Sequence, residues 1–543
     1  MGARPLFLCL LTAASSLIAC SCSVQRAPTT ASVLPATANP SDTPETAPDE
    51  PADSPSAKDF ETAIASAART DPNSPAVLNA KLDYAEFLLD GTPDTCLKRL
   101  EQAQEQLGSV DANPKSRVMF PDGWATVADL EFRLHLARSS CVKESERKDE
   151  LRVAVAEGRR AVEFYRNAFD YHSMVIMQFD VSTTLHQLGD SAAALQALQT
   201  TIDMDKEYAF KDDAAENYKL LLTWQGEPAG SARVAELIKD FPKRQAVMTF
   251  GWHTGNARTL FENHRVCLVD GQVTTGSRAG ATFDRHIRAD EDGSWNVSYS
   301  HRLDEYEPGV WPTMERNQTP LVVFPPVILP AVGFKVSGTG EFDGVTDATT
   351  FAAQLATKAQ GLIRAAAPSG PRARNLLDSA VETAEGDLAP GMLEAAAAEN
   401  YQIETAMWIG ATLEQGVWYE IDAPLPIPGM PRVVIQNKVQ FAFTRLLPCT
   451  AGAADPTCVE IVLHATPDKE ALNRVIGDLT LPPPYNQFDH YTASTQARIV
   501  TDPATLLPYA REERIYWYAS IDGGNSAILQ SEHVLSTTKY GAP

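Results

Sequence analysis

The stretch Arg265-Val-Cys-Leu-Val-Asp-Gly-Gln-Val-Thr-Thr275 places two strand-like runs on either side of Asp270-Gly271. Asp-Gly is typical of a two-residue hairpin loop, because both central residues of a type I′ turn need positive φ. The same dipeptide recurs at Asp292-Gly293 and at Asp522-Gly523, each time between strand-like runs. The repeated turn therefore predicts antiparallel β-structure in the second half of the chain.

Further strand-like runs extend this prediction. They lie at residues 433–443, 459–464, 495–500 and 514–520. In many of these runs apolar and polar residues alternate, as they do in sheets with one covered face. An Ala- and Leu-rich stretch at residues 349–408 predicts helices among them. Residues 246–543 are thus expected to form a β-rich α+β domain, with one or two antiparallel curved sheets and packed helices.

A short passage near the C-terminus carries a resemblance. Arg498-Ile-Val-Thr-Asp-Pro-Ala-Thr-Leu-Leu-Pro508 is followed by a strand, a turn and another strand. It is similar to the strand-Asp-Pro-x-Thr-Leu-x-Pro-strand passage of periplasmic half-barrel proteins related to lipoprotein carriers. That resemblance implies a sheet folded around a helix, able to hold an acyl chain or a peptide.

The preceding region, residues 59–243, has helical periodicity. Ser74-Pro75 is typical of a helix start, with a capping side chain followed by proline at the first helical position. One helical face then carries Leu78, Leu82, Ala85 and Leu89. The turn at Asp90-Gly91 leads to a second helix whose inner face carries Cys96, Leu100 and Ala103.

A second glycine turn occurs at Leu188-Gly189-Asp190. Ala194 and Leu198 follow it in a similar relation to Gly189 as Cys96 and Leu100 to Gly91. This arrangement resembles the tetratricopeptide family, in which a glycine-containing turn separates two antiparallel helices. Gly91 and Gly189 lie 98 residues apart, near three periods of about 34 residues. Three to four helical hairpins are therefore expected, and the resemblance implies a concave surface for a protein or peptide. The alternative is a plain helical packing domain.

The N-terminus has the pattern of a secretory signal. Arg4 precedes an apolar run at residues 6–11 that is too short to span a bilayer. Leu17-Ile18-Ala19-Cys20 resembles the lipobox of bacterial lipoproteins, which implies that residues 1–19 are removed and that Cys20 is acylated. Ser21 then implies outer-membrane sorting in a Gram-negative host. The alternative is an ordinary secreted protein.

Residues 20–58 are dense in Pro, Ala, Thr, Ser and acidic side chains. Such a segment cannot bury enough apolar surface to offset its conformational entropy, so we expect a disordered tether. The whole chain has 70 acidic and 46 basic residues and a formal charge of −24. This charge disfavours nucleic acid and anionic membrane surfaces as partners.

The cysteines predict disulfides rather than a metal site. Cys449 and Cys458 bracket a loop between two strand-like runs, so they are expected to pair. Cys96 and Cys141 could form a second bridge or remain two buried thiols, and the pairing of Cys267 is open. Neither a Cys-x-x-Cys motif nor clustered Cys/His spacing occurs, so no metal or other cofactor is predicted.

Catalytic motifs give no candidate residue. Gly338-Thr-Gly-Glu-Phe-Asp-Gly344 has its third glycine one place too late for a dinucleotide fingerprint, and Asp290-Glu-Asp-Gly293 lacks the outer ligands of a calcium loop. Both are interpreted as turns. No Gly-x-Ser-x-Gly occurs. Some aromatic side chains could line a ligand groove or pack on a sheet: Trp295, Tyr299, Tyr306, Trp311, Trp517 and Tyr518.

These observations predict a lipid-anchored binding or scaffolding protein on the periplasmic face of the outer membrane. Its expected partner is a protein or peptide on the helical repeats. The alternative is a carrier or sensor that holds a hydrophobic envelope ligand on the C-terminal sheet. A hydrolase is the third hypothesis, and no catalytic residue is assigned to it.

Overall fold

The computed structural model of the chain is helical in its N-terminal part and forms an open, curved antiparallel sheet in its C-terminal part, as predicted. It describes residues 56–70, 75–89, 96–111, 121–239, 241, 244–269, 272–307, 332–354, 356–357, 390–427, 430–450, 457–478, 488–521 and 526–541. The predicted signal, Cys20 and nearly all of the tether lie outside these ranges. Within the described ranges, no helix has both the length and the apolar character needed to cross a bilayer.

Nine helices precede the sheet within the described residues. They are α1 (Ala57–Thr70), α2 (Pro75–Leu89), α3 (Cys96–Asp111), α4 (Pro121–Cys141), α5 (Glu144–Asn167), α6 (Tyr171–Leu188), α7 (Ser191–Tyr208), α8 (Lys211–Gln225) and α9 (Ser231–Leu237). Each packs against the next one along the chain. The short connections make neighbouring helices antiparallel, so α2 to α9 form four successive hairpins.

The predicted capping signals lie where the helices begin and end. Helix α2 starts at Pro75, and Leu78, Leu82 and Ala85 are buried on one face. Gly189 ends α6 with a φ of 89°, a value that favours glycine. Asp190 then caps α7 by accepting a hydrogen bond from the Ala193 backbone at 3.2 Å.

The repeat length differs from the predicted one. The four hairpins begin at Pro75, Pro121, Tyr171 and Lys211, so successive starts are 46, 50 and 40 residues apart. These lengths exceed the period of about 34 residues in tetratricopeptide repeats. The reason is that α4 and α5 have 21 and 24 residues. The observed repeat lengths therefore do not establish membership of that family.

Thirteen strands follow within the described residues. They are β1 (Gln245–Val247), β2 (Gly255–Val269), β3 (Gln272–Ala289), β4 (Trp295–Glu307), β5 (Phe334–Val336), β6 (Phe342–Val345), β7 (Thr412–Glu414), β8 (Trp418–Ile427), β9 (Met430–Leu447), β10 (Cys458–Pro467), β11 (Phe488–Thr501), β12 (Pro508–Ile521) and β13 (Ser526–Tyr540). Eleven of them form one sheet in the order β6-β5-β4-β3-β2-β13-β12-β11-β10-β9-β8, and β1 pairs with β7.

The hairpins predicted from Asp-Gly dipeptides are confirmed. Val269 pairs with Gln272, and Ile521 pairs with Ser526, on either side of turns that lie outside the described residues. Residues 290–294 join β3 to β4, and Gly293 has a φ of 82° whereas Asp292 is not in the positive-φ region. Residues 291–293 and 338–340 form turns as interpreted, whereas residues 342–344 belong to β6. Gly340 precedes β6 and Gly344 lies within it, both with positive φ.

Residues 348–354 and 356–357 are helical. Two further helices, α10 (Pro390–Glu404) and α11 (Lys469–Asp478), and the 3-10 turn Ala406–Trp408 accompany the sheet among the described residues. Helix α10 and the turn lie within the stretch predicted to be helical. The inner face of the sheet is defined here as the face that contacts α10, and the opposite face is the outer face. Fully buried Trp408 packs edge-on against Phe441 of β9 on the inner face.

Helices α4 to α7 pack on the outer face at β9 and β10. Ala442 of β9 and Val462 of β10 belong to the same buried cluster as Phe132, Tyr171 and Met174 of these helices. The helical region therefore uses part of its surface to pack on its own sheet.

An ionic cluster, which we call the junction, fixes this contact. Glu460 of β10 is fully buried and accepts hydrogen bonds from Arg445 at 3.0 and 3.1 Å and from Thr444 at 2.8 Å. Arg498 donates a further bond to it. Arg445 also pairs with Glu207 at the end of α7, so the junction links helices to strands.

Candidate functional site

The inner face changes in character from one side of the sheet to the other. Strands β9 to β11 present buried apolar side chains there, such as Phe441, Ile461 and Ile499. Strands β12 and β3 present Arg511, Glu513 and Arg285 instead, all buried. Facing residues of α10 are Glu399, Asn400 and Glu404. We call these six residues the inner polar cluster.

Both terminal nitrogens of Arg511 donate hydrogen bonds to acceptors of the chain, whereas its Nε is buried without a partner. It donates to Glu513, to Asn400 Oδ1 at 2.6 Å and to Glu404 Oε1 at 3.4 Å. These bonds connect β12 to α10. A buried guanidinium in this arrangement is neutralised by neighbouring carboxylates, which is how buried charges are normally accommodated.

Glu399 adds a titratable group to the cluster. Burial raises its pKa to about 7, repulsion from Glu513 adds to this effect, and Arg511 opposes it. The carboxyl is therefore only partly ionised near neutral pH. The inner polar cluster thus holds fewer negative charges than its three carboxyl groups suggest.

Arg285 occupies a different environment. It lies in one cross-strand row on the inner face, with Tyr299 on one side and Ala257 and Tyr540 on the other. Its guanidinium carbon lies over the rings of Trp252 and Tyr299, at 5.3 and 6.0 Å from their centroids. The small side chain of Ala257 separates it from Tyr540.

No carboxylate of the described residues forms an ion pair with Arg285. Its only hydrogen bond to a described side chain is a long one of 3.4 Å from Nη1 to the Tyr540 hydroxyl. Its Nε is buried without a partner, and the side chain is 5% exposed. Burying an unpaired charge costs several kcal/mol, whereas cation–π contacts return about 2 kcal/mol each when desolvated.

The surrounding tyrosines do not supply the missing negative charge. Burial raises the pKa of Tyr299, of Tyr401 and of Tyr540 above the ordinary value of a phenol. All three are therefore neutral near pH 7. Their hydroxyls can donate or accept hydrogen bonds but cannot replace a carboxylate.

An aromatic enclosure surrounds Arg285. Tyr401 of α10 packs edge-on against Trp252 at 5.8 Å and donates a hydrogen bond to the Gly340 carbonyl at 2.8 Å. The indole Nε1 of Trp252 is also buried without a partner. Two unpaired donors, one charged and one neutral, therefore lie side by side. Tyr299 is only half-buried, so the enclosure reaches accessible space beside that ring.

Half-buried apolar side chains continue the inner face next to this enclosure. They are Phe261 of β2, Ile515 of β12 and Val534 of β13. Phe283 of β3 lies between them and the enclosure, because its ring contacts both Phe261 and Tyr299 edge-on. The site therefore combines unpaired polar donors with a neighbouring apolar surface.

The aromatic residues singled out in the sequence are divided by the structure. Trp295 and Tyr299 belong to the aromatic enclosure. Trp517 stacks on Tyr491 at 5.9 Å on the inner face, and Tyr518 is fully buried on the outer face. The Tyr306 side chain and Trp311 lie outside the described part of the chain.

The predicted disulfide between Cys449 and Cys458 is present, with a Cα–Cα distance of 5.0 Å. It closes the connection between β9 and β10. Cys141 and Cys267 are also disulfide-bonded, and their partners lie outside the described side chains. Among the described residues, no group of three or more His, Cys, Asp and Glu side chains is arranged to hold a metal ion.

Sequence analysis did not single out Arg285, although the strand contains a signal. In Phe283-Asp-Arg-His-Ile287 the arginine occupies the alternate position between two buried apolar residues. Alternation therefore places it on the covered face. Arg511 and Glu513 alternate in the same way on β12.

A scan of the chain against protein-family models and a search of curated proteins found no match. The geometry of the inner polar cluster is therefore the basis for a functional proposal.

Proposed function

We propose that this protein is a lipid-anchored binding protein of the cell envelope, which holds a ligand against the inner face of its C-terminal sheet. The observation that carries the proposal is the buried guanidinium of Arg285, which forms no ion pair with a described carboxylate and lies beside a second unpartnered donor, Trp252 Nε1. Arg511 Nε and Trp517 Nε1 are also buried without partners, but Arg511 has two carboxylate partners. Buried donors nearly always have an acceptor. A bound ligand would supply one here.

The position of the unpaired Arg285 on the inner face supports that face as the binding surface. The outer face is covered by helices at β9 and β10 and is exposed at β2, where Leu260 is 50% exposed. The polar character of the inner face also bears on the ligand. Polar groups beside Phe261, Ile515 and Val534 suit an amphipathic molecule better than a purely hydrophobic one.

Native mass spectrometry tests this proposal. The mature chain from Ser23 onward, which lacks the anchoring Cys20 and the neighbouring Cys22, is purified without detergent, and its lipid extract is analysed in parallel. A bound small molecule is expected at a stoichiometry near one, and its loss in Arg285→Met is expected. Absence of any bound molecule, together with no binding of added amphiphiles, would contradict the proposal.

The anchor is tested separately. The full chain expressed in a Gram-negative host with radiolabelled palmitate is expected to incorporate label and to fractionate with the outer membrane. A Cys20→Ser variant should lose both properties, while Cys22→Ser should keep them. Labelling that persists in Cys20→Ser would reject the lipobox assignment.

A second candidate is a protein or peptide partner on the helical repeats. A row of charged side chains crosses the first helices of three hairpins. Its members are Asp83 and Glu86 of α2, Asp129 and Arg133 of α4, and Asp180 of α6. Burial raises the pKa of Asp180 to about 6, and repulsion from Asp129 adds to this. Glu86 pairs with Arg133 at 2.7 Å and Asp129 accepts a hydrogen bond from Tyr165, so Asp83 and Asp180 are the carboxylates that favour a cationic partner. Capture of a partner by the wild type but not by Asp180→Ala would support it, and equal capture would not.

A further inference from the structure

The unpaired guanidinium of Arg285 specifies the chemistry of the ligand more closely. The described residues contain two buried arginines on the inner face, and only one of them has a carboxylate partner. Arg511 is held by Glu513 and Glu404. Arg285 feels the charge of Glu404 at longer range but forms no ion pair with it or with any other described residue.

The environment of Arg285 is built to hold an anion rather than to neutralise the charge. The guanidinium lies over the rings of Trp252 and Tyr299, and its one hydrogen bond to a described side chain is the long one to Tyr540. The fork of N–H groups of a guanidinium matches the paired oxygens of a carboxylate or phosphate. Trp252 Nε1, itself unpartnered, provides an additional donor beside it.

The neighbouring surface indicates what the anion is attached to. Phe283 is next to Arg285 on the inner face of β3, two residues earlier in the chain, and contacts half-buried Phe261. Half-buried Val534 and Ile515 continue this side of the sheet. An anion with no apolar part would leave these side chains uncovered.

We infer that Arg285 and Trp252 form the head-group site for an amphipathic anion, a carboxylate or phosphate joined to an apolar chain that lies along Phe261 and Phe283. This inference rests on the proposed function, since it assigns a ligand class to the same inner-face site. Arg285 is the residue that discriminates between charged and neutral amphiphiles.

Displacement of a neutral fluorescent probe, N-phenyl-1-naphthylamine, from the full mature chain tests the inference. The competitors are dodecanoate, dodecanol and inorganic phosphate. The wild type should prefer dodecanoate over dodecanol by about tenfold to a hundredfold, because one charge-assisted interaction is gained. Arg285→Met should abolish this preference while retaining dodecanol binding, and Arg285→Lys should keep part of it.

Arg258→Met is the matched control. Arg258 lies on the outer face of β2, largely exposed, and pairs with Asp284, the residue next to Arg285. This variant should retain the wild-type preference. It tests whether the loss of any arginine from this part of the sheet has the same effect.

The outcomes separate the two proposals. Equal affinity of the wild type for dodecanoate and dodecanol, or an undiminished preference in Arg285→Met, would overturn the head-group assignment and leave the proposed function standing. Binding of neither amphiphile would overturn both. Binding of phosphate as tight as that of dodecanoate would overturn the assignment of an apolar chain.

Discussion

Replacement of Glu460 should uncouple the helices from the sheet and destabilise the whole chain. Glu460 is fully buried and accepts three hydrogen bonds of 2.8 to 3.1 Å from Thr444 and Arg445. Arg498 contributes a fourth. Removal of the carboxylate leaves two guanidinium groups without their common partner.

The size of the effect follows from what remains at the junction. Arg445 keeps its pair with Glu207, which is partly exposed, whereas Arg498 has no other carboxylate partner among the described residues. Breaking a buried pair by removing one partner costs about 3–5 kcal/mol. We expect Glu460→Ala to lower the free energy of unfolding by about this amount, and Glu460→Gln by less because its amide oxygen can still accept one bond.

Urea unfolding followed by circular dichroism provides the measurement. The control is Glu420→Gln, which breaks the exposed pair between Glu420 and Lys438 and should cost less than about 1 kcal/mol. The reasoning is refuted if Glu460→Ala costs no more than this control. Two separate transitions in Glu460→Ala, against one in the wild type, would show that the junction couples the helical region to the sheet.

The junction should also be sensitive to acid. Burial alone raises the pKa of Glu460, but Arg498 and Arg445 outweigh burial and hold it below its usual value. The stability it contributes is therefore fully present above the pKa of the unfolded chain and is lost as the pH falls through the folded pKa. Glu460→Gln should show a weaker loss of stability in acid than the wild type.

Three further substitutions test the packing and the buried carboxyl groups. Gly158→Ala would place a methyl group 2.6 Å from Val181 Cγ2 and should destabilise the chain by about 1–3 kcal/mol. Gly108→Ala meets nothing within 4 Å and should stabilise the chain by up to about 1 kcal/mol in urea unfolding. Equal effects of the two substitutions would contradict the close approach of α5 to α6 at Gly158. Burial raises the pKa of Asp205 to about 7. The wild type therefore loses stability as the pH rises from the pKa of this carboxyl in the unfolded chain toward 7. Asp205→Asn should lack this loss, which amounts to at most about 4 kcal/mol at about pH 8. The prediction is contradicted if the free energy of unfolding of Asp205→Asn depends on pH in the same way as that of the wild type. Glu399→Gln should flatten the pH dependence in the same direction, because burial raises the pKa of Glu399 to about 7, and melting temperatures between about pH 5 and pH 8 measure it; an unchanged slope would show that Glu399 is solvated.

The sequence predicted the elements of this fold because their signals are local. Asp292-Gly293 indicates a hairpin by itself, since the turn needs residues that tolerate positive φ, and Gly189 and Asp190 mark a helix end and the next start. Repeat length was not predicted correctly. Gly91 and Gly189 were assigned three periods, but α4 and α5 are long helices and only two hairpin lengths separate the glycines.

The candidate site could not be assembled from the sequence because its contacts are not local. Arg285 meets Tyr540 across 255 positions, and Arg511 meets Glu404 across 107. Strand order depends on how hairpins associate, which periodicity does not determine. Alternation with Phe283 and Ile287 places Arg285 on the covered face, but it does not show whether the elements that cover it supply a carboxylate partner.

The distribution of carboxylates is what sets Arg285 apart from the other buried cations. Where the chain joins helices to the sheet, one carboxylate, Glu460, serves two arginines. Where α10 joins β12, Glu513 and Glu404 serve Arg511. In both arrangements the guanidinium groups have carboxylate partners within the chain, although Arg511 Nε, like Arg285 Nε, is buried without an acceptor. Arg285 is equally buried and lacks an equivalent partner, although Glu404 lies near. An arginine kept in that state costs stability, and a ligand that carries the missing anion is the simplest compensation, because it returns the free energy only when the site is filled.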